Sequence, residues 1–302
     1  MTTTTMNPVT VIPSGAALGA DITGVDLSRP LTDEQVAAII NAWHQHLVLR
    51  IRGQSLSDAD LIRFSQHFGK LDLAPISSSG KREIPEHPEI VVISNVKEDG
   101  RPIGSLGNAE AEWHTDMSYV ERPPKMSCLY SLEVPEEGGN TSFLNMYTAY
   151  EALPDDLKQA ITGKRCKHDI SRNSAGEIRK GFEAYANEPD PRKIPGTYHP
   201  LVCSHPKTGR QCLYLGRRGN AHIEGLGVEE SEALLDQLWS HAIKPEFRWD
   251  QVWQAGDLIL WDNRCTMHRR DAWTPGAARI LHRAQLKQMH TRTRKETDTA
   301  LA

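Results

Sequence analysis

The segment Trp113–Tyr119, with the sequence WHTDMSY, carries most of the information about this chain. It places two potential metal ligands, His114 and Asp116, two positions apart. Residues i and i+2 of a β-strand point to the same side of a sheet, so both side chains can reach one ion. Two histidines and one carboxylate on one face of a ferrous ion leave its opposite face open for a co-substrate and O2. The segment therefore predicts one part of such a metal site.

A second histidine, His268, follows the apolar run Leu258–Trp261 near the other end of the chain. Because it is so distant in sequence, it has to come from another strand of the same core. Arg279 and Arg283 follow at a spacing of four, which places them on one face of a strand. A His-x-Asp triplet alone is more often a surface turn or a hydrogen-bonded pair. The order of triplet, distant histidine and arginine is much more specific.

Further motifs extend along the chain, and they are Gly19–Leu27, Glu137–Thr141, His199–Val202, Trp261–Arg264 and Arg279–Arg283. Together with Trp113–Asp116, they resemble the Fe(II)/2-oxoglutarate dioxygenases of the taurine dioxygenase and 2,4-D dioxygenase family. The resemblance extends from about Ile12 to Leu286, which is most of the chain.

The resemblance implies a role for each residue that matches a family motif. It makes His114, Asp116 and His268 the iron ligands at the catalytic centre, and Thr141 and Arg279 the residues that bind 2-oxoglutarate. The implied reaction uses Fe(II), 2-oxoglutarate and O2, hydroxylates a small organic substrate, and releases succinate and CO2. Because Asp116 supplies a carboxylate where a related halogenating chemistry has a small residue, we expect oxygen transfer and no halogenation.

The substrate is expected to be a small acidic molecule, because Arg283 matches the arginine that family members use for an acidic substrate. Met117, Tyr119 and Glu110 are predicted to line its pocket, with Glu110 receiving an amine or a hydroxyl. The taurine enzymes hold a sulfonate partly with a histidine and an asparagine. Ala74 and Glu110 stand at the equivalent positions here, which disfavours taurine itself.

Two other functions fit the same residues. A hydrolase or isomerase can use zinc at a site of two histidines and one aspartate, and a non-catalytic jelly-roll protein can retain the metal. On pattern alone, Thr141 can be an ordinary β-branched strand residue and Arg279 a surface ion-pair partner. Two tryptophans, Trp113 and Trp261, are expected to be core aromatics. Three histidines are expected to be hydrogen-bonded structural residues, namely His199, His205 and His282.

The composition limits which classes of function are possible for this chain. The 302 residues carry a formal net charge of −4, without the basic face that binding to nucleic acid requires. No apolar stretch is long enough to span a membrane. The five cysteines are an odd number without a Cys-x-x-Cys motif, which favours reduced thiols in the cytoplasm. Family members are often dimers or tetramers, so a homo-oligomer is also expected.

Short strands separated by turns, with helices mainly near the ends, predict a mainly β, mixed α+β fold. We expect a double-stranded β-helix (jelly roll) core with buttressing helices. Helices are predicted at 33–46, after Ser57, at 155–162 and at 229–243. Residues 9–290 are expected to form one domain between flexible segments 1–8 and 291–302. Two active-site covers are expected, near 74–112 and 164–198, the second irregular with one short helix near 176–184.

Overall fold

The computed structural model of the chain describes residues 8–75, 82–106, 111–274 and 276–288. Glu110 lies outside these ranges, as do the tail 291–302 and, except for Pro8, the segment 1–8. Five α-helices lie within the described residues: α1 Asp33–His46, α2 Asp58–Gln66, α3 Met146–Glu151, α4 Asp155–Ile161 and α5 Val228–Ala242. Single 3-10 turns occur at Glu183–Tyr185, Pro191–Lys193 and Pro245–Phe247. None of the described helices is long and apolar enough to cross a membrane.

The strands, in chain order, are β1 Thr10–Pro13, β2 Ala20–Thr23, β3 Val48–Ile51, β4 Ile90–Ser94, β5 Lys97–Glu98, β6 Arg101–Pro102, β7 Ser105–Leu106, β8 Ala111–His114, β9 Met126–Glu133, β10 Thr141–Asn145, β11 Arg165–Asp169, β12 Gly196–Pro200, β13 Val202–Ser204, β14 Gln211–Leu213, β15 His222–Ile223, β16 Arg248–Gln251, β17 Leu258–Asp262, β18 Thr266–Arg270 and β19 Ile280–Leu286. The main sheet has eight strands in the order β1-β2-β3-β17-β9-β19-β4-β7. A second sheet has four, in the order β16-β10-β18-β8. The mixed α+β class is therefore confirmed, with strands as the larger part.

The two sheets face each other across an apolar layer. The Phe143 ring of β10 lies 5.6 Å from the Trp261 ring of β17, and Trp261 lies 5.0 Å from the imidazole of His268 on β18. Ile259 and Trp261 point into this layer, whereas Leu258 and Leu260 belong to a different buried cluster. The alternation along one strand is the period of two expected of a sheet that is covered on both faces.

Helices α1 and α2 cover the outer face of the large sheet. Ile39 and Trp43 of α1, with Leu61 and Phe64 of α2, join the cluster that contains Leu260. Helix α1 begins with a capping box, since the Thr32 hydroxyl accepts from the Gln35 amide and the Gln35 side chain accepts from the Thr32 amide. Because α1 and α2 cover the outer face of the large sheet, its inner face is the one available to form the site.

The structure corrects several local predictions. Segment 164–198 is not wholly irregular, because it opens with β11, which pairs with both β12 and β15. The prediction of a short helix near 176–184 is wrong, because the one helical element described in this range is the 3-10 turn Glu183–Tyr185. Helix α3 was not predicted, because six residues are too few for a helical period to stand out. The helix predicted at 229–243 ends one residue earlier, at Ala242, and Ile243 is 41% exposed.

Candidate metal centre and its cavity

Pairing of β8 with β18 brings the two predicted histidines together. His114 stands directly opposite His268 in the antiparallel register, with their rings 4.2 Å apart. Asp116 follows β8, and its Oδ1 lies 3.6 Å from Nε2 of His114 and 3.8 Å from Nε2 of His268. One ligand atom from each of the three buried side chains lies within 4.8 Å of the other two. The sequence prediction that these residues converge is confirmed.

The surroundings of each imidazole suit it to act as a metal ligand. Nδ1 of His114 lies 2.7 Å from the Glu112 carbonyl oxygen, so it carries the proton and leaves Nε2 as the free donor atom. Burial, and then the neighbouring His114, lower the pKa of His268 to about 3. A neutral imidazole is the form that ligates a metal.

Asp116 is held as a carboxylate by the residues around it. Burial acts to raise its pKa, but Arg283 and the two histidines together hold that pKa below its usual range. The main chain of Asp116 is fixed by Asn263, whose side chain accepts from the Asp116 amide at 2.9 Å and donates to its carbonyl at 3.0 Å. The backbone then turns sharply, because the next residue, Met117, has a φ of 50°.

A second group of residues lies at another part of the same cavity. Thr141 of β10 is the direct partner of Arg270 on β18, and Trp253 donates a hydrogen bond to the Thr141 hydroxyl at 3.1 Å. The Arg279 side chain is only 2% exposed, and its guanidinium carbon lies 5.4 Å from the Trp273 ring centre. The guanidinium carbon of Arg270 lies 4.9 Å from the same ring.

Arg279 is a buried cation in need of an anion. Its Nε has no hydrogen-bond partner among the described residues, and burial, followed by Arg270, lowers its pKa to about 9. Gly139, with a φ of +62°, leaves space for this side chain. A Cβ at that position would lie only 3.2 Å from Cδ and Nε of Arg279. The close packing of Arg279 against Gly139 explains why the motif Glu137–Thr141 has a glycine there. Charged groups at such depth are rare without a partner.

One cavity of about 270 Å³ connects the two groups. The predicted site residues that line it are His114, Asp116, Met117, Tyr119, Thr141, His268, Arg279 and Arg283. Glu110, the remaining prediction, lies outside the described residues. Trp261 is buried as expected and also lines the cavity, whereas Trp113 is partly buried and lies under the guanidinium of Arg269.

Sequence reasoning missed four residues near the site. Arg270 and Gln285 stand two positions after His268 and Arg283, so strand alternation alone could have found them. Arg179 and Arg217 also line the cavity but lie outside the two main sheets, where no local pattern indicates a side-chain direction.

The three histidines assigned structural roles do form hydrogen bonds. His199 contacts the Val120 carbonyl at 3.0 Å, His205 contacts Asp262 at 3.1 Å and His282 contacts Asp58 at 2.6 Å. His205, Asp262 and Cys265 form a second buried group of ligand types. There Asp262 is already neutralised by Arg264, with one contact at 2.5 Å. This second group is therefore built around the ion pair of Asp262 and Arg264, and His205 from the loop between β13 and β14 bonds to the same carboxylate.

Known proteins share both the sequence and the architecture. The family described as taurine catabolism dioxygenase TauD, TfdA matches residues 10–285. Pentalenolactone F synthase of Streptomyces avermitilis is 35% identical over 287 residues, covering 91% of this chain and 92% of that protein. The alpha-ketoglutarate-dependent 2,4-dichlorophenoxyacetate dioxygenase of Cupriavidus pinatubonensis is 34% identical over 278 residues, covering 90% and 95%.

A solved structure of similar sequence also has a similar fold. AAD-2, in complex with Mn(II) and N-oxalylglycine, superposes with a TM-score of 0.75 at 30% identity, covering 94% of this chain and 98% of its own. Since the family match takes in both sheets and the whole cavity, and the relatives match over most of their length, this chain belongs to the TauD, TfdA family of dioxygenases.

Proposed function

We propose that this protein is an Fe(II)- and 2-oxoglutarate-dependent dioxygenase that hydroxylates a small anionic organic molecule. In the overall reaction the substrate, O2 and 2-oxoglutarate give the hydroxylated product, succinate and CO2. The observation that carries the proposal is the cavity itself. It joins two histidines and a carboxylate to a buried arginine that has no anion among the described residues.

The residues present fit a divalent iron. His114, Asp116 and His268 would hold it, because their ligand atoms already converge and Nδ1 of His114 is bonded to the Glu112 carbonyl, which leaves Nε2 for the metal. When bound, the iron supplies the redox chemistry that activates O2 while 2-oxoglutarate loses CO2. The protein keeps Asp116 charged, presents Nε2 of His114 and surrounds the centre with buried strands that exclude bulk water.

Arg279 and Thr141 would bind the far carboxylate of 2-oxoglutarate. The arginine supplies a planar, permanently charged fork that suits a carboxylate. The Thr141 hydroxyl accepts from Trp253, so its own proton is free for a second bond to that carboxylate. Arg270, directly across from Thr141, adds positive charge at this end of the cavity. N-oxalylglycine, which accompanies Mn(II) in AAD-2, is chemically similar to 2-oxoglutarate.

The substrate would place an acidic group near Arg283, with Met117 and Tyr119 shaping the pocket. The substrate named for the Cupriavidus relative, 2,4-dichlorophenoxyacetate, is a carboxylate. Arg283 lies 3.5 Å from the Asp116 carboxylate, so an anion bound there would sit beside the metal ligands.

The finer architecture is also part of the proposal. Two facing sheets of eight and four strands support a double-stranded β-helix core buttressed by helices, within a single domain at 9–290. Parts of 74–112 and 164–198 would cover the site, since Pro75, Ala111 and Arg179 line its cavity. Five free cysteines support a cytoplasmic location. A homo-oligomer is proposed on family resemblance alone.

The zinc hydrolase or isomerase is less well supported, because it leaves the buried Arg279 without a function. A non-catalytic protein would have no need for the converging ligand set. The test is succinate release from 2-oxoglutarate under air, with Fe(II), across aryloxy acids, amino acids, sulfonates and sulfate esters. We expect stimulation by acids and none by their neutral amides. Absence of succinate with every compound, or equal stimulation by the amides, would contradict the proposal.

A further inference from the structure

The cavity has a second cationic surface formed by Arg179 and Arg217. Arg179 belongs to the segment between β11 and β12, and Arg217 to the loop after β14. The two guanidinium carbons lie 4.0 Å and 5.6 Å from the ring centre of Tyr119, a residue placed next to the metal ligands by sequence. Both arginines line the cavity that contains Asp116 and His268.

These two side chains are held in place without losing their charge. Nη1 of Arg217 donates to the Arg172 carbonyl at 2.7 Å, and Nε of Arg179 donates to the same oxygen at 3.1 Å. A neutral carbonyl orients a guanidinium but does not neutralise it. Stacking on Tyr119 orients it further, so less conformational entropy is lost when an anion binds.

The charge of this pair is compensated only in part, by the Coulombic effect of Asp116 and Asp169 on Arg217. Within the described part of the chain, neither Arg179 nor Arg217 forms an ion pair with a carboxylate. Among the described residues that line the cavity, Asp116 is the one acidic side chain, and it already lies within 3.5 Å of Arg283. Nε of Arg217 is buried and has no hydrogen-bond partner in the part of the chain that the structure describes. Burial, and then Arg179, lower the pKa of Arg217. Two adjacent cations in such a place are unfavourable until an anion joins them.

We propose that Arg179 and Arg217 form a second anion-binding site, the arginine clamp, and that the preferred substrate carries two anionic groups. The clamp binds one of them and Arg283 binds the other. This inference rests on the proposed function and narrows its substrate class to a small organic dianion. It adds two specificity-determining residues to those proposed to bind 2-oxoglutarate.

The clamp can be tested without turnover. Protein loaded with Mn(II) and N-oxalylglycine, and carrying Arg283→Ala, is titrated calorimetrically with sodium sulfate at constant ionic strength. We expect one sulfate to bind. Adding Arg179→Gln and Arg217→Gln should weaken it at least tenfold, whereas Arg192→Gln should change it less than twofold. Arg192 is a matched control, since it lies in the same segment and pairs with Asp190 at the surface.

A second measurement uses turnover. Straight-chain diacids of increasing length are compared with their monomethyl esters, which match them in size but carry one charge, at saturating 2-oxoglutarate. For the best diacid we expect kcat/KM at least tenfold above that of its ester, and this ratio should fall towards one in Arg217→Gln. Thermal melting establishes that each variant is folded.

The outcomes separate the two proposals. Sulfate affinity that survives loss of the clamp, or esters that match the diacids throughout the series, would overturn the clamp while leaving the dioxygenase intact. Failure to bind Mn(II) and N-oxalylglycine, or to release succinate with any compound, would instead count against the proposed function.

Discussion

Gln285 donates a hydrogen bond from Nε2 to Oδ2 of Asp116 over 3.1 Å. The same amide lies 3.1 Å from the Ser127 hydroxyl, which itself donates to Oδ2 at 3.1 Å. These contacts occupy one carboxylate oxygen and leave Oδ1 facing both histidines. The strand that carries Arg283 thus also sets the orientation of a proposed metal ligand.

Replacing Gln285 by leucine should therefore weaken metal binding. Partners of this kind commonly change metal affinity by about 10–100-fold, and we expect a loss of that size for Mn(II) measured by calorimetry. Gln237→Leu is the control, since the Gln237 side chain is exposed and donates to the Ala233 carbonyl of its own helix. Equal affinity in Gln285→Leu and the native protein would show that Asp116 is positioned by other contacts.

Arg279→Ala should abolish tight binding of N-oxalylglycine to the Mn(II)-loaded protein. Removing one partner of a buried charge pair costs about 3–5 kcal/mol, which is a loss of more than a hundredfold. Arg279→Lys should recover only part of it, because an ammonium lacks the planar fork. Retained affinity in the alanine variant, with Arg192→Gln as the unaffected control, would remove Arg279 from this role.

Gly216→Ala should destabilise the protein by at least about 2 kcal/mol, a large effect for one methyl group. The residue has a φ of +68°, and an added Cβ would overlap the fully buried His168 ring. Its carbonyl also accepts from the Thr115 amide between the two proposed ligands. Urea unfolding measures the effect, and Gly209→Ala is the control, because its φ is similar at +70° but its Cβ meets open space. Similar losses in both variants would assign the effect to backbone strain alone.

The Asp262 ion pair predicts a pH dependence of stability. Burial acts to raise the pKa of this carboxyl, but Arg264 and His205 together have the larger, opposite effect and lower the pKa to about 2. Because the folded value lies below the unfolded value of 3.8, the pair stabilises the fold above pH 3.8 and loses that effect as the pH falls towards 2. Asp262→Asn should therefore cost most at pH 7 and progressively less below pH 4, by urea unfolding. A cost that does not change with pH would contradict the assignment.

Much of the site could be predicted because it follows strand geometry. His114 and His268 lie opposite each other on β8 and β18, and Leu281 and Arg283 share one face of β19. Asp116 and Arg279 lie just outside these strands, so the spacing predicted that they reach the site but not their local conformation. The start of helix α1 could also be predicted, since Thr32 and Gln35 form a complete capping box.

The remaining features depend on contacts between distant segments. Arg179 and Arg217 reach the cavity only because both segments converge on the Arg172 carbonyl, which no local pattern reveals. Strand β11 was hidden in a polar stretch, because its buried Lys167 bonds to the Ile194 carbonyl at 2.7 Å instead of contributing an apolar side chain. Sequence thus revealed the proposed metal ligands but not the surface proposed to select the substrate.

The most direct test of the central claim is an anaerobic titration of the Fe(II)-loaded protein with 2-oxoglutarate, followed by visible absorption. If His114, Asp116 and His268 hold one iron within reach of Arg279, a weak charge-transfer band should grow to saturation at one 2-oxoglutarate per chain. His268→Ala should eliminate this band. A native protein that shows no band, or a band of equal strength in His268→Ala, would contradict the account.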